Sequence, residues 1–146
     1  MTSFYEYTNS SIDHKINKSA RLITQKLTRN FRENGIEVTT EQWKILLYLY
    51  REDGQTQVSL AEATGKDEPG ISRIIDVMEK HDLVRRISHP DDRRTNLIYL
   101  TENSKNMGEV LMAMGQKTNK EVTQDIALGE IETCIRVLDK VIKNLS

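Results

Sequence analysis

Apolar residues fall at Ile12, Ile16, Ala20, Ile23, Leu27 and Phe31, spaced four, four, three, four and four, which is one stripe along a helix. The pattern predicts a helix over about 11–34, closed at Asn34-Gly35, where glycine supplies a left-handed terminal residue. Thr39 with Gln42 three positions later is a capping-box pattern, and it opens a strongly apolar helix through Tyr50 that ends at Asp53-Gly54. Thr56 is the N-cap of a short helix from Gln57 to about Thr64. After the turn at Gly65, Asp67 caps a further helix with Pro69 in its first turn, burying Ile71, Ile74, Ile75 and Met78 and ending near His81-Asp82. The period then changes. Leu83 to Ser88 and Asn96 to Leu100 read as two strands, joined by the polar tip from His89 to Thr95. Thr101 caps the next helix, with Met107, Val110, Leu111, Met114, Thr118 and Val122 on one face. The last helix carries Ile131, Cys134, Ile135, Leu138, Val141, Ile142 and Leu145.

The expected order is helix, helix, helix-turn-helix, two-stranded hairpin, helix, helix. That is a mainly α chain with a small β-hairpin wing. With 146 residues, two prolines and no Gly/Ser linker, it reads as a single domain over 1–146. The winged helix-turn-helix occupies about 39–100, and long flanking helices lie at about 11–34 and 101–146. The stripes of the flanking helices have few partners within one chain. Two copies burying them against each other predict a twofold homodimer.

Composition excludes several classes. The longest apolar run, Ile45 to Tyr50, is six residues, against about 18–20 for a membrane span. The N-terminus has no basic stretch leading into an apolar one, so no secretory signal is expected. One cysteine, Cys134, allows no intrachain disulfide and fits a cytoplasmic protein. There is no Ser/His/Asp order, no Gly-rich phosphate loop and no His/Cys pair at zinc spacing, so neither an enzyme nor a metal or cofactor site is expected. Net charge is −1. Residues 55–100 hold seven Lys/Arg against eight Asp/Glu, so any nucleic-acid role rests on where charges point.

The segment Leu60-Ala61-Glu62-Ala63-Thr64-Gly65-Lys66-Asp67-Glu68-Pro69-Gly70-Ile71-Ser72-Arg73-Ile74 carries the chemistry. A helix-turn-helix needs a small residue where its helices touch, a glycine at the turn, and branched apolar residues in the second helix. Ala61, Gly65, Ile71 and Ile74 supply them at the right spacing. The second helix presents its N-terminal polar residues to a major groove, so Lys66, Pro69, Gly70, Ser72 and Arg73 are candidate DNA contacts. The tip Asp92-Arg93-Arg94 is the second signal. A narrow minor groove attracts inserted arginine, and a neighbouring Asp can orient the guanidinium by a forked ion pair. Arg85 and Arg86, at the hairpin base, are candidate phosphate contacts.

With these residues in place the chain resembles the MarR-type winged-helix transcriptional regulators, from about residue 10 onward. The resemblance rests on Thr39, Gln42 and Trp43, on Leu60-Ala61-Glu62, Ser72-Arg73 and Leu83-Val84-Arg85-Arg86, and above all on Pro90-Asp91-Asp92-Arg93-Arg94 with Tyr99-Leu100-Thr101. It implies a homodimer on a pseudo-palindromic double-stranded operator, with Ser72 and Arg73 in the major groove. It also implies Arg94 in the minor groove, steadied by Asp92, and Arg86 supporting the wing or touching phosphate. Such regulators commonly repress and are released by small, often phenolic or lipophilic anionic, ligands. The implied cavity lies between dimer helices and DNA-binding lobe, with Ile16, Trp43, Leu47, Met107 and Leu111 as candidate lining. Asp82 stands where the family usually has Gly, and Glu68 adds a negative charge near the presumed DNA face. Some relatives sense oxidants through cysteine, but Cys134 on its apolar stripe reads as packed core. The alternatives are a winged-helix protein-interaction module and a redox-responsive regulator using Cys134.

Overall fold

Capping chemistry sets the element boundaries in the computed structural model, which describes residues 1–146. In chain order the elements are α1 (Phe4–Ser10), α2 (Ile12–Glu33), α3 (Thr40–Arg51), β1 (Gln55–Thr56), α4 (Gln57–Thr64), α5 (Glu68–Lys80), β2 (Val84–His89), β3 (Asp92–Leu100), α6 (Glu102–Val122) and α7 (Leu128–Leu145). The Thr39–Gln42 box is closed in both directions at 3.1 Å. Thr56, Asp67 and Thr101 each accept a backbone N–H three residues on. These side chains satisfy N–H groups that the first helical turn leaves without partners.

Three features differ from the sequence expectation. Residues Phe4–Ser10 form a helix, held by a Ser3–Glu6 capping box and tied to α2 by the Tyr7 hydroxyl, which donates to Asp13 at 2.7 Å. Gln55–Thr56 is a third strand, paired antiparallel with Leu97 and Ile98, so the sheet order is β1-β3-β2. A two-residue strand leaves no periodicity to read. Finally, Cys134 is exposed rather than packed. α7 has no buried residue, and Ile135, Ile142 and Leu145 stand open to solvent in the single chain.

Sixteen buried apolar side chains make one core between α3, α4, α5, the sheet and the middle of α6. Phe31, near the end of α2, is 2% exposed and packs edge-on against Trp43 of α3, ring centroids 6.2 Å apart. This aromatic pair joins α2 to the helix-turn-helix lobe. On α6, a Cβ at Gly108 would lie 3.3 Å from the Tyr50 ring, and one at Gly115 would lie 3.3 Å from the Trp43 ring. The two glycines, seven apart, therefore seat two aromatic rings of α3. Deeper along α2, buried Asn30 donates to Thr118 Oγ1 at 2.9 Å and to Glu121 Oε1 at 3.1 Å, fixing the register of α2 on α6. No helix is long and apolar enough to cross a membrane.

Candidate nucleic-acid interface

The helix-turn-helix is built by α4 and α5. Gly65 takes the left-handed conformation (φ 67°) that ends α4, and Leu60, Ala61, Ile71 and Ile75 lock the two helices together. α5 then projects Glu68, Pro69, Arg73, Asp76 and Val77 outward, with Ser72 and Gly70 half-buried. Gly70 owes its place to the cap. Its N–H donates to Asp67 Oδ1 at 2.7 Å, and a Cβ there would sit 2.7 Å from the same oxygen.

The structure divides the basic candidates into engaged and free groups. Lys66 is paired with Glu41 at 2.8 Å, and its ammonium holds that carboxyl below the usual carboxylate range. Arg86 is engaged on nearly every donor. Its Nη1 meets Asp76 at 2.7 Å and Glu79 at 2.9 Å, its Nε donates to Gln57 Oε1 at 3.1 Å, and Nη2 reaches the Ser72 carbonyl at 3.3 Å. The side chain is only 19% exposed. Arg86 thus ties β2 to α4 and to the middle of α5, fixing the wing against that helix. Gln57, Asp76 and Glu79 were not among the sequence candidates, although Asp76 and Glu79 stand at the i, i+3 spacing that pairs charges on one helix face.

Arg73, Arg93, Arg94 and Arg85 are exposed. Arg73 folds its Nε back to the Pro69 carbonyl at 3.2 Å, which leaves both terminal nitrogens without a protein partner. In the wing, Ser88 pairs with Asn96 and His89 with Asp92, so Arg93, Arg94 and Thr95 are extra residues with nothing opposite. They form a bulge at the tip, a device that re-aims side chains out of a sheet. Asp92 does not fork onto the Arg94 guanidinium as the sequence reading expected. Its carboxylate accepts the Arg94 backbone N–H at 3.0 Å and the Thr95 hydroxyl at 3.1 Å, shaping the bulge instead. A carboxylate two residues back reaches the backbone more readily than the end of a long, solvated arginine.

The turn between α5 and β2 is held from α6. Asp82 is left-handed (φ 56°), a conformation that Asp adopts less readily than glycine. Thr101 Oγ1 and Asn103 Nδ2 donate to the Asp82 carbonyl at 2.6 and 3.1 Å, and Ser104 Oγ donates to the Leu83 carbonyl at 2.6 Å. The five candidate ligand-lining residues are not gathered in one place. Met107 and Leu111 line a cavity of about 590 Å³ between the α2–α3 connection, the end of α5 and α6. Trp43 lines a separate groove of about 360 Å³ between α3 and α6. Ile16 and Leu47 line neither.

Residues 35–95 match the MarR family model. The whole chain is similar in fold to a mutant MarR from E. coli complexed with operator DNA, at 21% identity over 96% of this chain and 99% of that one, with a TM-score of 0.84. It is similarly close to the transcriptional repressor CouR bound to a 23-mer DNA duplex (15% identity, 97% and 99% covered, TM-score 0.84). The transcriptional regulator SlyA is 24% identical over 93% of this chain and 94% of that one, with a TM-score of 0.83. The match to the MarR family model thus falls on the helix-turn-helix and wing, and the likeness to these solved structures extends the same fold over the flanking helices.

Proposed function

We propose that this protein is a homodimeric, sequence-specific DNA-binding transcriptional regulator, a repressor released by a small ligand. One observation carries the reading: the partnerless guanidinium ends of Arg73, Arg93 and Arg94 lie on the recognition helix and the wing bulge, while the neighbouring Lys66 and Arg86 are held by carboxylates. Ser72 and Arg73 read a major groove, and Arg94 enters the flanking minor groove from a bulge that Asp92 holds in shape. Two structural relatives are described as bound to DNA. The exposed apolar residues of α1, α2 and α7, among them Phe4, Ile12, Leu22, Ile135 and Ile142, support a twofold dimer that buries them. In such a dimer the two recognition helices are held about 34 Å apart, one turn of DNA. A ligand that prefers another spacing lowers DNA affinity by its differential binding energy.

The outer face of α5 favours a second reading, a protein-interaction module, because Glu68, Asp76 and Glu79 outnumber Arg73 and Lys80 there. Two variants test the first reading against it. Arg94→Ala is expected to weaken duplex binding about tenfold with unchanged thermal stability, on the scale of one charge-assisted contact. Arg73→Ala is expected to lower affinity for the preferred site more than for random duplex, by about 1–3 kcal/mol of discrimination. Unchanged binding by Arg94→Ala in a fluorescence-anisotropy titration contradicts the wing assignment. Equal losses on both duplexes reduce Arg73 to a phosphate contact.

A further inference from the structure

We infer that the cavity of about 590 Å³ at the end of α5 is a ligand site for a compact apolar molecule carrying an amine, and not for the phenolic or lipophilic anionic ligands that the family resemblance implies. This deepens the regulator reading and rests on it only for the consequence at DNA. The volume is that of a small-molecule site, about 300–1,000 Å³. Ile36, Val38, Leu83, Met107, Val110 and Leu111 give it an apolar lining. Its polar lining is Asn34, Glu37, Gln42, His81, Asn103 and Asn106, with no lysine or arginine among them.

Glu37 is the one carboxylate in the lining, and it has no ion-pair partner in the chain. Asn34 turns its Nδ2 to the Asn30 carbonyl at 2.8 Å, and Asn103 turns its Nδ2 to the Asp82 carbonyl at 3.1 Å. Both amide oxygens are left as acceptors. A carboxylate entering this space meets Glu37 with no lysine or arginine to offset the repulsion, whereas an ammonium group finds an anion and two carbonyl oxygens.

The location gives the site a route to DNA. His81 and Leu83 line the cavity on either side of the left-handed Asp82, at the junction of the recognition helix and the wing. Asn103 both lines the cavity and holds the Asp82 carbonyl. A ligand that engages Asn103 acts on the turn that sets α5 relative to β2.

A pair of probes with the same ring and opposite charge tests the inference: tryptamine and indole-3-acetate, titrated into the full-length protein and followed by amide ¹H–¹⁵N correlation spectra. Tryptamine is expected to shift the amides of Ile36, Leu83 and Met107 and to bind at least about tenfold more tightly than indole-3-acetate. Glu37→Gln, on an exposed segment away from the core, is expected to reduce tryptamine affinity about fivefold, as befits a partly solvated ion pair. Equal or tighter binding of indole-3-acetate, no tryptamine shifts at those amides, or an unchanged preference in Glu37→Gln overturns the assignment. None of these readouts involves DNA. Failure of the regulator reading shows separately, as absence of duplex binding by the ligand-free protein.

Discussion

Arg86→Met is expected to lower thermal stability by about 3–8 °C and DNA affinity by tenfold or more. The guanidinium is hydrogen-bonded to Gln57, Asp76, Glu79 and the Ser72 carbonyl. Bonds to charged groups contribute about 1.5–3 kcal/mol each when well shielded, and less here because Asp76 is half-exposed. A net loss of about 1–2 kcal/mol is therefore expected. Methionine keeps the aliphatic stem but leaves Asp76 and Glu79 facing each other without a cation. The wing then loses its fixed angle to α5, and under the proposed function Arg73 and Arg94 no longer meet their grooves together. Lysine at this position rescues little, since one ammonium cannot fork to Gln57, two carboxylates and a carbonyl at once. Differential scanning calorimetry and anisotropy titrations read the two effects. A fall in DNA affinity with a shallower salt slope and unchanged stability makes Arg86 a phosphate contact instead.

Phe31→Ala is expected to destabilise the fold by about 3–5 kcal/mol. The ring is 2% exposed, packs edge-on against Trp43, and belongs to the same core as α3 and α6. Its removal opens a cavity where α2 packs on the helix-turn-helix lobe. Collapse is hindered because Gly108 and Gly115 already bring the α3 rings close to α6. Urea titrations at fixed protein concentration should show a lower midpoint with an unchanged slope. A loss below about 1 kcal/mol means that Phe31 is not a packed junction.

The features legible in the sequence were those that short-range chemistry decides. Thr39, Thr56, Asp67 and Thr101 cap helices in the structure because each needs only an N–H three residues away. Gly65 ends α4 because the left-handed turn excludes few things so little as glycine. The Ser3–Glu6 box is equally local, but Phe4–Ser10 buries nothing and so carries no apolar stripe to mark a helix there. What eluded the sequence depends on distant partners. Arg86 is explained by Gln57, Ser72, Asp76 and Glu79, which only the folded lobe gathers. Asp92 bonds the backbone of its own bulge because the register slips there, and register is invisible before pairing. The stripe of α7 was read correctly as apolar, yet Cys134 and Ile135 are exposed because a single chain offers them no surface to pack on. The cavity at the end of α5 combines the 34–38 connection with residues from α6, so no window of sequence contains it.

The most direct measurement is a salt series of equilibrium binding to the duplex upstream of the protein's own gene, beside a random duplex of equal length. Free arginines on two recognition helices and two wings predict a steep fall, with log affinity against log salt steeper than about −3. At physiological salt the upstream duplex should bind at least about 1,000-fold more tightly than the random one. Equal affinity for both duplexes, with little dependence on salt, contradicts the regulator reading and leaves the winged-helix fold serving a protein partner.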